Sequence, residues 1–202
     1  PIIQQSTVDY AASPAHANAV IIDTVEQFAD WWVYDAARAE FAHATMVETG
    51  LISNGPDGTV GNMDPDRVQG LIDQLVEAGM DVPSGLTAAD IMTNEYIDDS
   101  IGLAGGASGD SGSEEEAMAS LADVCPSPLV IQTDWFPESE HAALYNLIGD
   151  GYSVDSDNKL VSGPMVSGGS DLGIELEVRA GGPAIGFSPV AAHMYTDASV
   201  HI

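Results

Sequence analysis

The hydrophobic pattern changes period partway along the chain, and a stretch without a large apolar side chain separates the two regimes. Ala104-Gly105-Gly106-Ala107-Ser108-Gly109-Asp110-Ser111-Gly112-Ser113 has nothing to bury, so it reads as a flexible linker. Before it, apolar residues recur at helical spacing; after it, they alternate or cluster in short runs. The chain therefore divides into a helical segment, 1–103, a linker, 104–113, and a β-α-β segment, 114–202. Glu114, Glu115 and Glu116 open a short helical stretch through Leu121.

The first segment carries clear helix signals. Ser13 is a good N-cap and Pro14 sits at the first helical position, where its missing N–H costs nothing. Ile21, Val25, Phe28 and Trp32 then recur at spacings of about four residues. This pattern predicts a helix to about Thr49, stopped by Gly50 and broken near Asp30. Trp31 and Trp32 are expected to anchor it in the core. Asn54-Gly55-Pro56-Asp57-Gly58 reads as a turn. Asp64-Pro65 repeats the cap-plus-proline start, with Val68, Leu71, Ile72, Leu75 and Val76 as one face of a helix ending at Gly79. Thr87 with Asp90 resembles a capping box.

In the second segment, Pro128–Thr133 reads as a short apolar strand and Glu138–Leu147 as a helix with Ala142, Tyr145 and Ile148 on one face. Ile174-Glu175-Leu176-Glu177-Val178-Arg179 alternates cleanly, as a strand with one buried face does. Val200–Ile202 is a candidate further strand. Strand, helix, strand predicts an α/β unit with a parallel-rich sheet flanked by helices.

Charge narrows the function. The chain of 202 residues holds 32 acidic and four basic side chains, a formal charge of −28. Such a field repels phosphate and argues against nucleic acid or an anionic membrane as partner. A solvated acidic exterior, suited to high salt or an extracytoplasmic medium, outweighs selection of cations as its explanation. Forty-five per cent hydrophobic residues exclude disorder. Lone Cys125 is either a buried thiol or half of a disulfide. The apolar ends, Pro1-Ile2-Ile3 and Val200-His201-Ile202, read as cuts through a fold.

The densest chemistry lies from Asp134 to Tyr145, where a strand hands over to a helix. In open α/β sheets, ligands bind beyond the carboxyl ends of strands. Trp135 and Phe136 offer stacking faces, His141 a hydrogen-bonding ring, and Asp134 and Glu138 negative charge. Gly181-Gly182-Pro183 follows the next strand, where a backbone without Cβ atoms can approach a ligand. The competing structural reading makes Asp134, Glu138 and Glu140 helix-start acids and Gly181-Gly182-Pro183 a simple turn. Serine-nucleophile, phosphate-loop and zinc spacings are absent, so no catalytic residue, cofactor or metal is expected.

The apolar strand ending in Asp134-Trp135, with Pro137, His141, Leu144 and Tyr145 after it, resembles the first strand and helix of the NMT1/THI5-like periplasmic binding proteins. Those are substrate-binding components of ABC importers for small organic solutes. The resemblance implies a periplasmic-binding-protein-like lobe and a ligand site at Asp134, Trp135, Phe136, Glu138, His141, Tyr145, Gly181, Gly182 and Pro183. It covers about fifteen residues. More broadly, 105–125 is similar to the tether after a lipoprotein's anchored cysteine, and 1–103 to the C-terminal helical part of such a protein.

The resemblance thus implies a circularly permuted chain whose two halves pack as one lobe, most of the second lobe being absent, along with the partner of Cys125. The expected function is extracytoplasmic binding of a small organic molecule with an aromatic or cationic portion, weak in this chain alone. The expected partners are that solute and, in the parent, an ABC permease. The parent would be a monomer, at the cell surface or in the periplasm, touching the membrane only through a lipid anchor. Two alternatives stand: an enzyme of thiamine-pyrimidine precursor synthesis with His141 as reactant, and an engineered scaffold or sensor fragment.

Overall fold

A computed structural model describes residues 1–28, 31–104 and 120–202. The expected linker (apart from Ala104), the helical stretch opened by Glu114 and the break near Asp30 lie outside these residues. The chain forms two compact units. One comprises the described residues of Ser53–Asp110, with Pro1; the other comprises those of Ile2–Ile52 and Ser111–Ile202. The helices of 2–52 thus belong with the sheet-forming segment.

In the larger unit the helices come first: α1 (Ile2–Ala12), α2 (Ala15–Phe28) and α3 (Ala36–Glu48). The expected long helix is two, because the Asp35 side chain accepts the Arg38 N–H at 2.9 Å and caps a new start. Gly50, at φ 73°, closes α3 as anticipated. Helix α1 has no apolar periodicity to read. Its buried positions are Gln4, Ser6 and Tyr10, and the Ser6 hydroxyl donates to the Ala143 carbonyl at 2.6 Å.

The smaller unit follows in sequence, with α4 (Pro65–Glu77) and α5 (Ala88–Ile91). The Asp64 carboxylate caps α4 by accepting from the Asp66 and Arg67 amides. Gly79, at φ 74°, ends it: the Gly79 and Met80 amides donate back to Val76 and Leu75, a Schellman arrangement that only a left-handed residue closes cheaply. The Thr87–Asp90 capping box is present, and the Gln69 side chain accepts the Ala88 amide, tying α5 to α4. Of the expected apolar face of α4, Ile72 is buried while Leu71 and Val76 are exposed.

Back in the larger unit, β1 (Leu129–Gln132) leads through a 3₁₀ turn (Ser139–His141) to α6 (Ala142–Tyr145). Then come β2 (Ser153–Asp155), β3 (Leu160–Ser167), β4 (Ser170–Arg179), a second 3₁₀ turn (Gly182–Ile185) and α7 (Val190–Met194). The sheet is four-stranded and mixed, in the order β1-β4-β3-β2. Among the described residues only β1 and β4 pair in parallel, with Leu129 opposite Leu176 and Ile131 opposite Val178; the other two pairings are antiparallel.

The expectation of a parallel-rich sheet is therefore corrected, because a β2–β3 hairpin intervenes before β4. Strand β3 of that hairpin contains Gly163-Pro164, a pair that strand interiors rarely hold. Within β3 this proline falls where the ladder is irregular, between Pro164 and Val166, a position that spares a bond the ring cannot make. Val200–Ile202 is not a regular strand, yet it runs beside β1: the Ile202 amide donates to Val130 and the Gln132 amide to the Ile202 carbonyl.

Helices cover one face of the sheet. Leu172, Ile174, Leu176 and Val178 of β4 are buried, while Gly173 and Glu175 between them are exposed and Glu177 is half-buried. The buried set joins Val20, Ile21 and Val25 of α2, Tyr145 of α6, and Val161 and Met165 of β3 in one core. Half-buried Cys125, a free thiol, packs against it. No described helix is long and apolar enough to cross a membrane.

Leu176 is fully buried on the strand that pairs with both β1 and β3. Leu176→Ala is expected to cost about 3 kcal/mol in urea denaturation, whereas Asp64→Ala, which removes a cap, is expected to cost about 1 kcal/mol.

Candidate functional site

The ends of β1 and β4 are fastened together, and that junction sets the position of Asp134 and Trp135. The Thr133 hydroxyl lies 2.6 Å from the Trp135 carbonyl and 3.1 Å from that of Arg179, donating toward both. The Gly181 amide donates to the Trp135 carbonyl at 3.0 Å. A Cβ on Gly181 would stand 2.0 Å from the Thr133 carbonyl oxygen, a distance no side chain tolerates. At Gly182, with φ 57°, a Cβ would meet the Trp135 ring at 2.7 Å. These glycines therefore leave room for the chain's own backbone and indole where a Cβ would stand. Pro183 is a half-buried part of the second 3₁₀ turn.

After the junction, Pro137 leads into the 3₁₀ turn and the four residues of α6. The expected helix over 138–147 is this short composite, and it carries little dipole. It nonetheless places His141 under Asp134. The His141 side chain is only 10% exposed, with Nε2 2.8 Å from Asp134 Oδ1 and 3.7 Å from Glu140 Oε1. Its Nδ1 is buried without a partner among the described residues. The donor atoms of Asp134, Glu140 and His141 lie within 4.8 Å of one another, so these three side chains could hold a divalent cation. Glu138 stands beside them. Burial, then the charges of Glu140 and Asp134, push its carboxyl up to about 7.

An aromatic cluster adjoins the carboxylates. Phe136 is buried, stacks on Trp31 at 5.2 Å and meets Phe28 and Trp32 edge-on. Trp135 lies edge-on to Trp32 and 5.9 Å from Phe187. The Trp32 indole N–H donates to the Pro137 carbonyl at 3.2 Å. Trp31, 58% exposed, is thus not the core anchor expected from the sequence; both tryptophans join the candidate site through Phe136. Phe187, exposed and at φ 61°, was not legible in the sequence, because it belongs to no periodic element. The Lys159 ammonium donates to the Phe28 and Ser156 carbonyls.

Of the nine candidate ligand residues, the fold brings together Asp134, Trp135, Phe136, Glu138 and His141, with Gly181 and Gly182 as supports behind them. Tyr145 is different. It is completely buried in the hydrophobic core, where burial pushes its hydroxyl pKa far up, so it packs α6 against the sheet instead of facing a cleft. That placement follows from its spacing to Ala142 and Ile148, both also buried.

Gly181→Ala is expected to cost about 3 kcal/mol or more in urea denaturation, since the obstructing atoms are backbone. A second expectation concerns pH. Glu138 is raised in the folded chain from the ordinary 4.5 to about 7, so its own contribution to stability is fullest below about 4.5 and is lost as pH rises through 7. Glu138→Gln is expected to flatten that decline, gaining on the order of 1 kcal/mol at pH 8, since solvent screens a half-exposed group. Urea midpoints at pH 5 and pH 8 check it.

Set beside known proteins, the chain matches no family model, and no curated protein or solved structure matches it significantly.

Proposed function

We propose that this chain is a binding module for a small organic solute with a cationic or aromatic portion, of the kind that serves ABC importers as their extracytoplasmic solute-binding component. The observation that carries this reading is uncompensated charge beside aromatic faces. Asp134 and Glu140 are exposed and Glu138 half-buried, and no Lys or Arg pairs with any of them among the described residues. Exposed Trp31 and Phe187, and half-buried Trp135, stand in the adjoining cluster. Carboxylates supply long-range attraction for a cation and indole faces a short-range, desolvated contact. The resemblance of Asp134, Trp135 and His141 to the solute-binding family supports the same assignment, and a single lobe implies weak binding. The alternative in which His141 is itself a reactant is disfavoured by a ring nine-tenths buried.

Tetramethylammonium, a cation without N–H groups, probes this site. Titration at pH 8 followed by NMR is expected to shift the Trp135 indole resonance with a Kd of about 1–10 mM. Trp135→Ala is expected to weaken binding about fivefold or more, and lowering the pH to 5, where Glu138 is neutral, to weaken it further. Absence of any response at about 50 mM, or unchanged affinity in Trp135→Ala, overturns the proposal.

A further inference from the structure

A cleft of about 400 Å³ opens at the carboxyl ends of β1 and β4, and it shares no residue with the site around Asp134. Strand register explains its floor. Leu160 of β3, Arg179 of β4 and Gln132 of β1 stand opposite one another across three adjacent strands, so their side chains leave the same face of the sheet. Glu177, two residues before Arg179, shares that face. It is the face away from Leu176 and Val178, which lie in the helix-covered core. Ile185 of the second 3₁₀ turn and His193 of α7 also line the cleft. Open α/β sheets take ligands at such strand ends, and the volume falls in the range of small-molecule sites.

The lining offers donors and acceptors in balance. Arg179 Nε donates to Glu177 Oε1 at 2.6 Å, so these two charges cancel within the cleft. With the His193 imidazole neutral, the lining carries no net charge. Arg179 Nη1 turns to Asp197 and Ser199, neither of which lines the cleft. Arg179 Nη2 and Glu177 Oε2 have no hydrogen-bond partner among the described residues. The ion pair thus keeps one free donor and one free acceptor. Gln132 adds a second acceptor. It is 5% exposed, yet only its amide nitrogen is used, donating to the Thr133 and Arg179 carbonyls, both at 3.1 Å. The reverse orientation would set its oxygen against two carbonyl oxygens, so the assignment is forced. The Gln132 side-chain oxygen, on the face of the cleft, has no partner among the described residues, and an unused acceptor on a buried side chain is costly.

A lining whose charges cancel disfavours a charged ligand, which would lose its hydration here without gaining a counter-charge. It matches a neutral group that presents donors and an acceptor together. A carboxamide does so, with two N–H donors and one carbonyl oxygen. We propose that this cleft is a binding site for a small neutral carboxamide carried on a flat apolar body. The amide N–H groups donate to the Gln132 side-chain oxygen and Glu177 Oε2, and the amide carbonyl accepts from Arg179 Nη2. Leu160 and Ile185 flank the apolar part. The proposal does not depend on the Asp134 site, whose uncompensated carboxylates call for a cation.

Benzamide is the probe, and benzoate and benzamidine, which have its shape with one negative or one positive charge, are the controls. Titration of the full ¹⁵N-labelled chain at pH 8 is expected to shift the Gln132 side-chain amide and Arg179 guanidinium resonances with benzamide, at a Kd about tenfold or more below that of either control. Glu177→Gln, which can still accept from Arg179, removes the counter-charge from the cleft and is expected to reverse the order of benzamide and benzoate. Ala184→Phe, at an exposed position lining the cleft, is expected to abolish the response by filling it. Either control binding as tightly as benzamide, an unchanged order in Glu177→Gln, an unchanged response in Ala184→Phe, or no response to benzamide each overturns the proposal. Tetramethylammonium acting on the Trp135 indole reads the other site separately, so either proposal can fail without the other.

Discussion

The candidate site depends on how closely β4 approaches β1. Among the described residues these are the only parallel neighbours in the sheet, and their carboxyl ends are drawn together by Thr133, whose hydroxyl reaches the carbonyls of Trp135 and Arg179. Gly181 permits this approach, since no Cβ could coexist with the Thr133 carbonyl at 2.0 Å. From that one junction Asp134 and Trp135 depart on one course and Gln132 and Arg179 end on another. The carboxylate–aromatic site and the cleft lined by Gln132 and Arg179 therefore both follow from one backbone contact. A change that pried the strands apart would alter both.

Electrostatics gives the site around Asp134 its sign. The chain has only four basic side chains, and the three in the larger unit are occupied by its own oxygens. Arg38 donates to the Val33 carbonyl beside Asp35, Lys159 to two carbonyls, and Arg179 to Glu177, Asp197 and Ser199. Little positive charge remains to offset carboxylates elsewhere. Most of those are exposed, hydrated and screened by salt, and need no partner. Glu138 stands apart, because it is half-buried between Asp134 and Glu140 and is pushed up to about 7 by burial and by their charges. Excess charge is thus diffuse over the surface and concentrated where burial prevents water from dispersing it.

Local signals were legible where one residue type performs one local task. Asp64-Pro65, Gly79, Gly50 and the Thr87–Asp90 box each satisfy or release backbone groups within a few residues, so spacing alone located them. The alternation of β4 was legible for the same reason: one buried face imposes a period of two. The missed elements lack such a signature. Helix α1 buries Gln4, Ser6 and Tyr10, and the Ser6 hydroxyl is satisfied by a residue over a hundred positions away. Strand β3 contains Gly163-Pro164, residues that end strands in most settings but here coincide with a ladder irregularity.

The candidate site divides along the same line. The sequence alone determined that Asp134, Trp135, Phe136, Glu138 and His141 would lie together after a strand, since they are neighbours in the chain. It also determined the formal charge of −28. Tertiary structure decided the rest. It recruited Trp31, Trp32 and Phe187 to Phe136 and Trp135, withdrew Tyr145 into the core, and filled the space beside Gly181 and Gly182 with protein atoms. It paired β1 with β4 across an intervening hairpin and so created the cleft at Gln132 and Arg179. The physical reason is that caps, turns and alternation are satisfied within a few residues. Which rings stack, and which side chains the core admits, depends on long-range packing that local sequence does not encode.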